Sequence, residues 1–170
     1  MEIVNFFKKQ EGRWFSQKTT HYLQAGKSKA GKSDLEVAYI AANDPELQQL
    51  VQDTQPSSSN TVGGLRISHN SVVGPQNQIK TLLIAAVGDS EGQLLQRSDN
   101  SVVQISRYRW ENGALIVTTE ADGLIAEERW WFITDNIRMR TSVVHSGEQQ
   151  TLASFCSEIR LGDVKADARA

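Results

Sequence analysis

The chain has one cysteine, Cys156, in 170 residues, which excludes an internal disulfide and suits a reducing cytoplasm. It has no excess of basic charge: the formal net charge is −2 and the pI is near 5.9. A nucleic-acid binder working by bulk electrostatics is therefore not expected. No apolar run approaches the roughly 20 residues that span a bilayer, so membrane insertion is not expected either. The segment Met1-Glu2-Ile3-Val4-Asn5-Phe6-Phe7-Lys8-Lys9 lacks the basic and long apolar regions of a secretory signal, and a cytoplasmic location is the expectation. The three histidines, His21, His69 and His145, are scattered without metal-ligand spacing. Two Gly-Lys-Ser tripeptides, starting at Gly26 and Gly31, lack the upstream glycine and following helix of a P-loop. Neither a metal site nor nucleotide hydrolysis is predicted.

What the chain does have is a long series of short β patterns cut by turn signals. Asn112-Gly113, Asp122-Gly123, Thr134-Asp135-Asn136 and Ser146-Gly147 punctuate the last third at near-regular intervals. Such spacing reads as an antiparallel meander, which closes into a barrel or packs as a sandwich. Upstream, strand patterns run over 13–23, 34–41, 61–69, 79–87, 93–97 and 102–110, with a small, basic loop expected at Gly26–Ser33 and a break at Gly74-Pro75. Ile3, Phe6 and Phe7 mark an amphipathic helix over residues 2–11 that Gly12 ends. A second short helix starts at Asn43-Asp44-Pro45, where an Asp cap precedes a Pro in the first turn, and Leu47, Leu50 and Val51 form its apolar stripe. The length suits a single domain. It is drawn here as 1–162, followed by a tail over 163–170 that is expected to be flexible.

Parity along the strands sorts the charged residues onto one face. Trp14, Ser16 and Lys18 share a side, as do Glu128, Trp130 and Phe132, then Arg138, Arg140 and Ser142, then Ser154, Cys156, Glu158 and Arg160. Parity by itself leaves two arrangements open. In one, the arginines and glutamates form a solvated cross-strand ladder, with Ile137, Met139 and Val143 in the core. In the other, the charged face lines a cavity and the apolar face is covered by the N-terminal helix or a partner. The second arrangement calls for a ligand that is anionic at one end and flat and apolar elsewhere, because arginine forks suit carboxylates and Trp130 offers a stacking plane.

Gly12-Arg13-Trp14, at the junction of helix and first strand, matches the Gly-x-Trp of lipocalins, where the Trp plugs one end of an eight-stranded cup. Larger blocks carry a more specific likeness. Asn5-Phe6-Phe7, Gly12 to Thr19, Val62-Gly63-Gly64-Leu65-Arg66, Glu128 to Phe132, Asn136 to Ser142 and Ala153 to Arg160 resemble, in order and spacing, the S-type (CpcS/CpeS-like) phycobiliprotein lyases. The likeness runs from about residue 5 to 161.

That resemblance implies an all-β, antiparallel up-and-down, lipocalin-like (calycin) barrel with an N-terminal helix and one further short helix. It implies a protein that binds an open-chain tetrapyrrole of the phycocyanobilin type as substrate, with no permanently bound cofactor. Such proteins deliver the bilin to a cysteine of an apo-phycobiliprotein subunit, whose thiolate adds to the ring A ethylidene to form a thioether. The site residues it implies are Arg138, Arg140 and Lys18 on the propionates, Trp130 and Trp14 on the conjugated rings, and Glu128 and Glu158 as catalytic carboxylates at the pyrrole nitrogens. Ser16, Cys156 and Arg160 complete the bilin-binding set. Position 18 is Lys where many relatives are expected to have Arg. His69-Asn70-Ser71 stands where an aromatic is expected, which favours a U-type role beside an S-type partner subunit; a homodimer is the other assembly considered. A non-catalytic carrier of a bilin, a fatty acid or another small lipophile is the alternative function, and an assembly factor with an empty barrel a third.

Overall fold

A computed structural model describes residues 2–55, 60–71, 79–88, 90–99 and 102–162. The expected break at Gly74-Pro75, most of the Ser-rich stretch after Gln55 and the tail over 163–170 lie outside these residues. The elements are α1 (Glu2–Gln10), β1 (Gly12–Tyr22), β2 (Lys27–Ile40), α2 (Pro45–Thr54), β3 (Thr61–Ser71), β4 (Ile79–Gly88) and β5 (Glu91–Ser98). They continue with β6 (Gln104–Glu111), β7 (Ala114–Ala121), β8 (Leu124–Thr134), β9 (Ile137–Ser146) and β10 (Gln149–Arg160). Each strand pairs antiparallel with its sequence neighbours, and β1 also pairs with β10, so ten strands close into one barrel. The meander is as expected; the count is ten rather than the eight of the Gly-x-Trp cup.

Local chemistry sets the strand joints. At the β6–β7 and β7–β8 hairpins, Asn112-Gly113 and Asp122-Gly123 all adopt positive φ, the two-residue turn whose twist matches the flanking strands. At α2, the Asp44 carboxylate accepts from the Glu46 N–H at 2.9 Å and Pro45 occupies the first turn. The expected loop at Gly26–Ser33 is instead strand: Lys27 to Ser33 pair with Tyr22 back to Ser16. Gly, Ser and Lys have weak strand preference, and the ladder to the long β1 supplies the backbone bonds that propensity did not advertise.

Two cores flank the wall. Inside, Leu35, Val37, Leu65, Ile84, Ala86, Leu94, Tyr108, Leu115, Val117 and Trp130 pack with Ile3, Phe6 and Phe7 of α1, which closes one barrel end. Outside, Leu47 and Leu50 of α2 pack on Leu83, Ala85, Val87 and Leu95. Gly64 permits that approach, since a Cβ there would lie 2.8 Å from the Leu47 methyls and 2.3 Å from the Ile84 carbonyl oxygen. β4 is thus apolar on both faces, which is why Leu82 to Val87 reads as a continuous apolar run.

The parity question is settled by burial. Arg138 and Glu158 are 7% and 2% exposed, whereas Phe155 and Ile159 on the opposite face of β10 are 46% and 54% exposed. The charged face is inside. The outer apolar face is not covered by the N-terminal helix; α1 spends its apolar side on the barrel end.

Candidate functional site

The barrel ladders stack the interior residues of β1, β10, β9 and β8 into successive rows. At the closed end, Trp14 pairs with Arg160. Next come Ser16, Glu158, Arg138 and Phe132, then Lys18, Cys156, Arg140 and Trp130, then Thr20, Ser154, Ser142 and Glu128. Side chains in adjacent rows on one face are near neighbours, so four strands build a graded wall from a sealed end of aromatics and paired charges toward the open end.

The sealed end is a linked arginine–indole assembly. Trp14 is fully buried and its indole N–H donates to the Gln10 carbonyl at 2.8 Å. The guanidinium carbons of Arg138 and Arg160 lie 4.2 and 4.3 Å from its ring centroid. Arg160 also donates to the carbonyls of Lys9, Glu11 and Asp135 at 2.9, 2.5 and 3.0 Å, tying the end of α1 to the β8–β9 turn. Gly12 makes room for it: a Cβ there would sit 2.5 Å from Arg160 Nη1, and its φ is +139°. Arg138 donates Nε–H to Glu158 Oε1 at 2.6 Å and Nη1–H to the Gln10 side-chain oxygen. Burial pulls the Arg138 pKa down to about 10, with Glu158 opposing that pull, so it stays cationic at neutral pH.

Beyond this layer is a cavity of about 310 Å³ lined by Ser16, Lys18, Glu128, Arg140, Cys156 and Glu158 among others. That lies near the low end of the ~300–1,000 Å³ range of ligand sites. Exposed Lys18 and Lys80 mark its open side. Glu158 is the pivot between layers. Its Oε1 is held by Arg138, while its buried Oε2 has no hydrogen-bond partner among the described residues and lies 3.8 Å from Arg140 Nη2. Burial would raise its pKa, but Arg140 and then Arg138, helped by the adjacent Ser16 hydroxyl, outweigh burial and hold the carboxyl below its usual range. Arg140 is pushed upward in turn: burial would lower it, and Glu158 with Glu128 more than compensates. Its guanidinium carbon lies 5.2 Å from the Trp130 ring centroid. The Trp130 indole N–H is buried without an acceptor among the described residues, so this wall presents both an idle donor and an idle acceptor.

Cys156 Sγ lies 3.1 Å from Ser16 Oγ. Burial, and after it the negative charge of Glu158, pushes the thiol pKa up. It stays protonated at neutral pH and makes a poor nucleophile.

Of the ten residues singled out from sequence, Ser16, Lys18, Glu128, Arg140, Cys156 and Glu158 line this one cavity. Trp130 flanks it beside Arg140 and Glu158. Trp14, Arg138 and Arg160 are placed otherwise. They form the layer beneath, with their polar atoms engaged by α1, Glu158 and the β8–β9 turn. Sequence reasoning missed the opposite wall: Ser33, His69, Lys80, Thr81 and Ser98 also line the cavity. His69 shares parity with Leu65 and Ile67, which was a usable signal. Lys80 had none, because β4 is apolar on both faces.

Comparison with known proteins agrees with this architecture. The family model described as "CpeS-like protein" matches residues 2–161. A chromophore lyase CpcS/CpeS of Trichodesmium erythraeum is 41% identical, with 94% of this chain and 98% of that one aligned. A chromophore lyase CpcS/CpeS of Thermosynechococcus vestitus is 34% identical over 95% and 94% of the two chains. The phycocyanobilin lyase subunit CpcS of a Picosynechococcus strain is 26% identical over 94% and 86%. The solved S-type phycobiliprotein lyase CPES of Guillardia theta shares the fold, with a TM-score of 0.79 and 24% identity over 96% of this chain and 94% of that one. With its ten-stranded barrel, its helix-closed end and a family match over nearly its whole described length, this chain belongs to the CpeS-like family.

Proposed function

We propose that the chain is a bilin lyase or a subunit of one, which holds an open-chain tetrapyrrole of the phycocyanobilin type and presents it to a cysteine of an apo-phycobiliprotein. The observation that carries this reading is Glu158 Oε2: a buried carboxylate oxygen in the cavity lining, kept ionised chiefly by two arginines and lacking a hydrogen-bond partner among the described residues. An unpartnered buried acceptor costs about 1–3 kcal/mol, and a ligand N–H supplies the missing donor. Pyrrole nitrogens offer such N–H groups in a flat apolar frame, and an ionised carboxylate beside them favours the protonated, more electrophilic chromophore. Glu128, on the same wall two rows further out, is the second carboxylate in reach of the nitrogens.

Arg140 and Lys18 are the anchors for a propionate, being adjacent to Glu158 and, unlike Arg138, not locked beneath it. Trp130 gives the plane on which one ring rests, with Arg140 over its face. Arg138, Trp14 and Arg160 act through Glu158 and α1 as positioning groups rather than as bilin contacts. The cavity is small for a four-ring chromophore, so part of the bilin projects from the open side, where an acceptor protein can reach ring A. In the reaction, the acceptor's thiol adds across the ring A ethylidene double bond. A carbon–sulfur bond forms, the thiol's proton ends on the tetrapyrrole, and nothing leaves. The raised pKa of Cys156 fits this division of labour, because the nucleophile comes from the acceptor. The names of the relatives agree with the reading, and one of them is a lyase subunit.

The test is an absorbance titration with phycocyanobilin, followed by addition of apo-phycobiliprotein subunits and a search for acid-stable, zinc-fluorescent product. Binding with transfer supports a self-sufficient lyase. Binding that yields transfer only after an S-type partner is added supports a subunit. Tight binding with no transfer under either condition would leave a carrier, and no binding would refute the proposal.

A further inference from the structure

The wall opposite Arg140 has its own cationic pair. His69 on β3 and Lys80 on β4 stand directly across from each other in the ladder, and both line the cavity. Ser98, paired with inward-facing Leu82, adds a hydroxyl to the same side. Burial, then the positive charge of Lys80, with Lys18 and Arg140 contributing further, pushes the His69 pKa below its ordinary value; Glu158 alone opposes them. His69 is therefore neutral at neutral pH, a hydrogen-bonding group beside the charge of Lys80. Neither Lys18 nor Lys80 has a carboxylate within ion-pair distance among the described residues.

The interior holds Lys18, Lys80, Arg138 and Arg140 against Glu128 and Glu158. Glu158 is answered by Arg138, and Glu128 offsets one of the other three cations, so the described lining keeps a net two positive charges. The three cations lie on different walls of one cavity: Lys18 and Arg140 on β1 and β9, Lys80 on β4.

We infer that His69 and Lys80 form a second carboxylate-binding subsite, opposite the Lys18–Arg140 subsite, so that the cavity takes a dicarboxylate whose two acid groups reach both walls. This rests on the bilin reading and deepens it: one propionate is held at Arg140 and Lys18, the other at Lys80 and His69. Two anchors fix the rotation of the flat chromophore in the barrel, which one cannot do, and so determine which ring points to the open side. The subsite selects for ligands with two free carboxylates and against esters or monoacids of the same shape.

The experiment compares phycocyanobilin with its dimethyl ester in absorbance titrations of the wild type, Lys80→Met, Lys18→Met and the double variant. Lys80 is exposed, so its replacement does not disturb the core, and circular dichroism checks this. The expected result is about a 5-fold weaker Kd for the diacid in each single variant, the scale of one partly exposed ion pair. The two losses should multiply to about 25-fold in the double variant, with no change for the ester. His69→Gln, which keeps a hydrogen-bonding side chain, should lose less than Lys80→Met. A change below about 2-fold in Lys80→Met, an equal loss for diacid and ester, or a double variant no weaker than the singles would each overturn the second subsite while leaving bilin binding intact. If the wild type binds neither form, the bilin reading itself fails and the subsite falls with it.

Discussion

Replacing Arg138 with Met tests whether the charged interior is held together as described. The Arg138 and Glu158 side chains are 8% and 3% exposed and meet at 2.6 Å, so neither charge is appreciably solvated. Removing the cation leaves Glu158 buried with Arg140, at 3.8 Å, as its remaining ion-pair partner among the described residues. Breaking a buried pair from one side costs about 3–5 kcal/mol, because the remaining charge keeps its desolvation penalty. For a domain of this size that corresponds to a fall of roughly 10 °C in Tm. The double variant Arg138→Met/Glu158→Leu removes both charges. It should recover most of the loss, since apolar replacement of a whole buried pair is often neutral or stabilising. Gln10 loses its donor in both variants, so that cost cancels in the comparison. Urea unfolding followed by tryptophan fluorescence reads both, with Trp14 stacked against Arg138 as the reporter. A single-variant cost below about 1 kcal/mol, or a double variant less stable than the single, would refute the buried-pair reasoning. Bilin binding should fail in the double variant even where stability returns, because Glu158 is gone.

Two further outcomes follow from the same geometry. Both Glu158 and His69 have folded pKa values below their ordinary ones. The contribution of Glu158 is therefore fully present above about 4.5, its unfolded value, and is lost as pH falls through its lower folded value. That of His69 is present above about 6.5 and declines as pH falls below it. Urea midpoints measured between pH 7.5 and 5.5 should drop less in His69→Gln than in the wild type; equal slopes would show that His69 is not responsible. Gly12→Ala places a methyl 2.5 Å from Arg160 Nη1 at a φ of +139°. It should cost about 1–3 kcal/mol and speed hydrogen exchange in α1, and an unchanged exchange rate would contradict the role given to Arg160 at that barrel end.

The sequence by itself determined the elements whose physics is local. Asn112-Gly113 and Asp122-Gly123 demand positive φ and so place hairpins wherever the rest of the chain goes. Asp44-Pro45 starts a helix through one side-chain bond and one fixed dihedral. Strand parity likewise put Glu158, Cys156, Arg138 and Arg140 on common faces before any coordinates, and the residue blocks from Gly12 to Arg160 carried the family likeness. Parity has no sign, however. Only barrel closure decided that this face looks inward, because β1 pairs with β10 across more than 100 intervening residues and no local rule foresees that contact. Closure also decided the rest. It drew Lys27 to Ser33 into a strand, and it separated Arg138 and Arg160, bound beneath the cavity, from Arg140, which lines it. It also brought His69 and Lys80 to the wall opposite Arg140, from strands whose composition gave little sign of a binding surface.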